Sequence, residues 1–155
     1  VTRKAEIIRL VLPGTRIPSA NRLLRMHWTA RARLQKAISK DVMAALADWR
    51  AGNDLEIPRA KVRAQFVVFK KRGVGRTDQD NLAAGLKLVI DGLKQNGLIV
   101  DDSPAWFGFT AEEKLAGGCD VWDVAGCERT ACLLDGHRVG KEPRIEIAIK
   151  YFYQF

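Results

Sequence analysis

The densest set of groups able to do chemistry lies in Arg76-Thr77-Asp78-Gln79-Asp80-Asn81-Leu82, followed by Lys87, Asp91 and the adjacent pair Asp101-Asp102. Carboxylates crowded together repel one another unless a cation joins them. Mg²⁺ suits that task, because it takes hard oxygen ligands and keeps several waters. Taken singly, each acid also has a structural use. Asp78 or Thr77 can cap a helix, Asp80 can favour the helix dipole, and Lys87 with Asp91 can form an i,i+4 pair in the less favourable order. As a set they exceed those needs, since one cap does not require Asp-x-Asp. A cluster of metal-binding acids within a cationic protein is what phosphodiester hydrolysis calls for.

These groups need a rigid frame, and the pattern predicts a helix over roughly Asp80 to Asn96, stopped at Gly97. At 100° per residue from Asp80, Lys87 falls near ~340° and Asp91 near ~20°, while Leu82, Leu86, Val89, Ile90 and Leu93 fall between ~180° and ~280°. One face therefore packs and the opposite face presents acid, base and acid in line. Upstream, Ala5 to Leu12 reads as a strand closed by Pro13-Gly14, and Gly14 to Asn21 as a connector. A long helix follows from Trp28 to Arg50, with Leu34, Ile38, Val42, Ala45 and Trp49 at helical spacing. Lys61 to Lys70 reads as a second strand, Ala105 to Thr110 as a third and Arg144 to Tyr153 as a fourth. The order is β-α-β-α-β-β. It predicts an α+β (mixed α/β) domain over residues 1–155, a mixed sheet with helices packed on it, parallel pairing among the early strands and a closing hairpin.

Charge is placed unevenly along the chain. The first 77 residues hold 18 Lys/Arg against 5 Asp/Glu, and the remaining 78 hold 8 against 13. From Ile7 to Lys40 eight basic residues occur with no acid, and Ile57 to Thr77 repeats the pattern with seven. Runs of that length are expected to hold a polyanion, nucleic acid first. Arg22, Arg25, Arg31, Arg33, Lys70, Lys71 and Arg72 are the candidate phosphate contacts, with Arg76 near the acids. His27 and Trp28 open the long helix, where a packing role is expected ahead of base stacking. At 155 residues with 47% hydrophobic and 28% charged side chains, the composition is that of one globular domain and too apolar for disorder. No run approaches the ~20 apolar residues of a spanning helix, and Val1 to Lys4 carries no secretion-signal core, so a soluble intracellular protein is expected.

In its motifs the chain resembles the RusA-type Holliday-junction resolvases, small phage and prophage endonucleases that act as homodimers on four-way DNA junctions. The resemblance spans most of the chain. It is carried by Ile17-Pro18-Ser19-Ala20-Asn21-Arg22, His27-Trp28 and the basic helix, Arg76-Thr77-Asp78-Gln79-Asp80-Asn81-Leu82, Lys87, Asp91-Gly92-Leu93, Gly97, Asp101-Asp102-Ser103 and Arg144-Ile145-Glu146-Ile147. It implies a RusA-like fold, a bacterial cytoplasmic setting with phage or prophage origin, and paired symmetric nicks by a homodimer. It also implies that Asp78, Asp80 and Asp102 bind Mg²⁺, or Mn²⁺ in its place, with Asp101 and Asp91 as alternative ligands, and that Lys87 is the essential lysine. One departure stands out. The prototype's lysine follows the second aspartate by four residues, where Ala84 stands here, and Lys87 follows Asp80 by seven. Both spacings return to nearly one azimuth, so Lys87 keeps the acidic face about 4.5 Å further along the axis. There it is expected to offset charge on the phosphate, orient water, or neutralise the acids.

Gly117 to Lys141 reads as an irregular insertion. Cys119, Cys127, Cys132 and His137 within it either ligate a structural Zn²⁺ or serve as buried or free thiols. Three cysteines cannot form a paired disulfide framework, which fits a reducing compartment. Two rival functions stay open beside the resolvase: a non-catalytic branched-nucleic-acid binder, and a related nuclease that cuts flaps, forks or RNA-containing substrates.

Overall fold

The computed structural model describes residues 3–70, 77–115 and 143–153. Along them run β1 (Ile7–Pro13), α1 (Ala20–Arg25), α2 (Trp28–Gly52), β2 (Lys61–Lys70), α3 (Gln79–Gln95), β3 (Phe107–Leu115) and β4 (Arg144–Phe152). The strands arise from alternation. β1 buries Ile8, Leu10 and Leu12 and exposes Ile7, Arg9 and Val11, and β4 buries Ile145, Ile147, Ile149 and Tyr151. Ser19 starts α1 by accepting the Arg22 amide at 3.2 Å on its hydroxyl, so part of the expected connector is helical.

The four strands form one mixed sheet in the order β1-β4-β2-β3, with the helices packed on it, as the alternation of strands and helices requires. β2 and β3 pair in parallel, Val62 opposite Phe107 through Lys70 opposite Leu115, because α3 carries the chain back between them. The expected closing hairpin is not formed. β4 instead lies between β1 and β2, antiparallel to both. In that place both backbone edges of β4 find ladder partners, β1 on one side and β2 on the other, while Ile145, Ile147 and Ile149 stay buried on the helix-covered face. β3 also runs five residues past the expected end at Thr110.

α2 and α3 cover one face of the sheet. α3 buries Leu82, Leu86, Val89, Ile90 and Leu93, the five residues its azimuths single out, and Leu88 as well. α2 buries Ile38, Val42, Ala45 and Leu46, with Leu34 and Trp49 half-buried at the margin. Each fully buried Leu, Ile or Val side chain contributes roughly 1.5–3 kcal/mol, so this shared core fixes the direction in which each opposite face points. The two helices run side by side in the same sense: Gln35 donates to the Leu88 carbonyl at 2.9 Å, and Ser39 meets Gly92 and then Gln95. The segment before α1 crosses α3 at Gly85, where a Cβ would stand 2.7 Å from the Pro18 carbonyl oxygen.

Gly97 ends α3 at φ +75°, and the Leu98 and Gly97 amides return to the Leu93 and Lys94 carbonyls at 3.0 and 3.1 Å. The Tyr151 hydroxyl then donates to the Leu98 carbonyl at 2.7 Å. Burial pushes this phenol up, which keeps it a neutral donor. The chain that follows, bearing Asp101 and Asp102, is thereby pinned to the central strand. No helix of the described residues is long and apolar enough to cross a membrane.

Candidate functional site

The acidic residues fall into two groups at different heights on α3. The first lies at its N-terminus, beside the C-terminal ends of the parallel pair β2 and β3. Asp78 is the N-cap: its Oδ1 accepts the Asn81 amide and its Oδ2 the Asn81 side-chain amide, both at 2.8 Å. Each oxygen keeps a further lone pair. Asp80 is exposed in the first turn. Below them, Lys70 and Glu113 project from adjacent strands on the helix-covered face, with Lys70 Nζ 2.9 Å from Glu113 Oε1. The other Glu113 oxygen accepts the Thr77 amide at 2.9 Å, and Lys70 also donates to the Thr77 hydroxyl. Burial pushes the Glu113 carboxyl up, but the Lys70 and Thr77 bonds outweigh it and hold the group below the usual carboxylate range.

The second group lies further along the helix. Lys87 Nζ is 2.9 Å from Asp91 Oδ1 and also donates to Asp102 Oδ2. Lys94 stands 2.9 Å from Asp101 and 3.6 Å from Asp102. Asp102 first, then Asp91, holds the Lys87 ammonium above its ordinary value, and Lys87 holds Asp102 below its own. Lys94 and then Ser103 keep Asp101 well below the usual carboxylate range, and Asp101 raises Lys94 in return. Two lysines thus neutralise the Asp101-Asp102 pair, the cation that crowded acids require.

The structure therefore joins Lys87, Asp91 and Asp102 and leaves Asp78 and Asp80 apart from them. Seven residues separate Asp80 from Lys87, about 10 Å along the axis. Among the described residues no three His, Cys, Asp or Glu side chains are grouped to hold one metal ion. As donors, Asp78 and Asp80 are hard oxygens with open lone pairs at a solvent-facing helix end. Such a pair suits Mg²⁺, which commonly takes one or two carboxylates and fills the rest of its shell with water and phosphate.

Cations gather at the same end of the helix layer. Arg22, Arg25, Arg31 and Arg33 are exposed, and none pairs with a carboxylate among the described residues. Because α2 and α3 run in the same sense, this basic end of α2 lies toward the Asp78–Asp80 end of α3. Lys70, expected to meet phosphate, is turned instead to Glu113 and Thr77. Lys71, Arg72 and Arg76 lie outside the described residues, as do Cys119, Cys127, Cys132 and His137. Trp28 is 74% exposed, which corrects the expectation that it packs. The opposite, uncovered face of the sheet carries exposed Arg9, Lys61, Arg63 and Lys150.

Glu113 is the site residue that sequence reasoning misses. Its signal is nonetheless there: in Phe107, Phe109, Ala111, Glu113 an acid continues the inward row of a strand. No protein-family model matches the chain, and a search of curated proteins returns no match.

Proposed function

We propose that the protein is a metal-dependent endonuclease for branched DNA, four-way junctions foremost, acting as a homodimer in the manner of the RusA-type resolvases it resembles. One observation carries the reading: the exposed acids Asp78 and Asp80 lie at the same end of the helix layer as an acid-free field of arginines. DNA held by Arg22, Arg25, Arg31 and Arg33 would bring a phosphate toward those carboxylates. Asp78 and Asp80 would hold Mg²⁺ or Mn²⁺, which when bound supplies charge neutralisation at the phosphate and a more acidic water. The cap bonds from Asn81 fix the orientation of Asp78, and the Glu113–Thr77 bond fixes the turn that precedes it. Lys87, ion-paired along the same helix face, positions Asp102 and holds its carboxyl below the usual carboxylate range. A two-fold dimer would present two such ends to the two strands of a junction, and paired nicks follow from that symmetry.

A second reading is favoured by a separate observation. Asp78 serves as a helix cap and Asp102 is ion-paired, so the acids also suit a binder of branched nucleic acid that does not cut. An end-labelled four-way junction incubated with Mg²⁺, with Mn²⁺ and with EDTA separates the two. The nuclease nicks the junction only with metal, and the Asp80→Asn variant retards it in a gel yet leaves its strands whole. Retardation without cleavage by the wild-type chain would establish the binder. A flap and a fork in the same panel show which branch is preferred.

A further inference from the structure

Leu24 and Trp28 are the most exposed large apolar side chains among the described residues, at 81% and 74%. Trp28 shares its azimuth on α2 with the buried Leu46, five turns away, and lies near that of Val42. It extends the helix's packing stripe past the part of the helix that the rest of the fold covers. An uncovered indole there is an unsatisfied apolar surface rather than a scattered surface residue. Its orientation is steadied by a neighbour. The His27 and Trp28 rings lie 5.7 Å apart at 33°, and His27 is anchored by the Thr29 amide, which donates to its Nδ1 at 3.3 Å.

Resting on the branched-DNA reading above, we propose that Trp28 is a stacking platform for an unpaired base at the branch point. The surroundings select this occupant. Exposed Arg31 stands one turn after Trp28 on α2, exposed Arg22 and Arg25 lie on the short helix just before it, and an aromatic face among cations is how proteins hold single-stranded nucleic acid, base on ring and phosphate on charge. A second copy of the chain fits poorly, because a two-fold contact sets a patch against itself and would press these arginines onto their own copies. The position suits the role as well, since the parallel run of α2 and α3 puts the platform toward the Asp78–Asp80 end. A base unstacked at a branch would be held there, and a base within linear duplex, already stacked on its neighbours, would not.

The test uses the full chain in EDTA with two probes: a four-way junction carrying 2-aminopurine at the branch point, and a linear duplex of the same arm sequence. Wild-type protein is expected to quench the 2-aminopurine and to bind the junction more tightly than the duplex. Trp28→Ala should lose about tenfold in junction affinity, abolish the quenching and leave duplex affinity within about twofold. Trp28→Phe, which keeps a ring, should stay near wild type. Trp28→Leu, which keeps apolar bulk without a π-face, should behave like the alanine variant and separates stacking from packing. An unchanged junction-to-duplex ratio in the alanine and leucine variants overturns the platform, as does loss of dimer in sedimentation with that ratio intact. Cutting of the same junction by wild-type protein in Mg²⁺ is scored apart. Its absence counts against the nuclease and leaves the platform standing, whereas failure to bind either DNA overturns both.

Discussion

Glu113 ends the inward row of β3, and its side chain is only 7% exposed between Lys70 and the Thr77 amide. Replacing it by Gln keeps the shape but removes a charge-assisted acceptor from a covered site, which should cost about 1–3 kcal/mol in urea unfolding at neutral pH. The effect carries a pH signature. The carboxyl is held below its unfolded value, so the interaction contributes fully above that value and is lost as pH falls through the depressed folded one. The gap between wild type and Glu113→Gln should therefore begin to close as pH falls through the ordinary Glu value, about 4.3, and vanish only below it. A gap that stays constant would mean that Glu113 acts by shape alone. The Lys87–Asp91 spacing was legible because an i,i+4 pair needs only helix geometry, and the cap at Asp78 likewise. The partnership of Lys70 with Glu113 was not, since it depends on two strands being laid side by side to join residues 43 apart in sequence.

At the scale of elements, α3 is positioned by what crosses it, and Gly85 is the point of closest approach. Helix propensity alone predicts that Gly→Ala gains up to about 1 kcal/mol in a helix interior. Here the new Cβ would meet the Pro18 carbonyl oxygen at 2.7 Å, and backbone on both sides cannot step away cheaply. Gly85→Ala should therefore destabilise by about 1–3 kcal/mol. Gly52→Ala, at the last turn of α2 with nothing within 4 Å, should be neutral or gain a few tenths, roughly. Melting midpoints of the two variants against wild type check the pair, and a gain at Gly85 would show that the Ile17–Pro18 segment is not packed there. α2, α3 and β2 could be placed from periodicity because each signals its own buried side. The place of β4 could not. Its alternation reveals a strand with one buried face but says nothing of which neighbours flank it, and adjacency in sequence suggested β3 where the sheet chose β1 and β2.

For the whole molecule, the contrast between a basic first half and an acidic second half does not become two charged ends, because α2 and α3 lie side by side. Among the described residues, exposed cations include two sets on separate surfaces: the α1–α2 corner, with Arg22, Arg25, Arg31 and Arg33, and the uncovered sheet face, with Arg9, Lys61, Arg63 and Lys150. The sheet and its helix layer stand between them, and the helix layer alone is about 10 Å thick. One straight duplex cannot touch both. If the corner beside Asp78 and Asp80 is where DNA lies, replacing its four arginines by Gln should flatten the plot of log affinity against log salt by about 0.9 for each phosphate no longer neutralised, up to about 3 to 4 in all. The same replacement of the four sheet-face cations should change the slope for linear duplex by less than about 1, since total charge is altered equally but no counterion is displaced there. Fluorescence anisotropy of a labelled linear duplex across a salt series reads both. Equal flattening by the two sets would show that net charge, and not the corner, governs binding, and the placement of DNA near the α3 acids would lose its support.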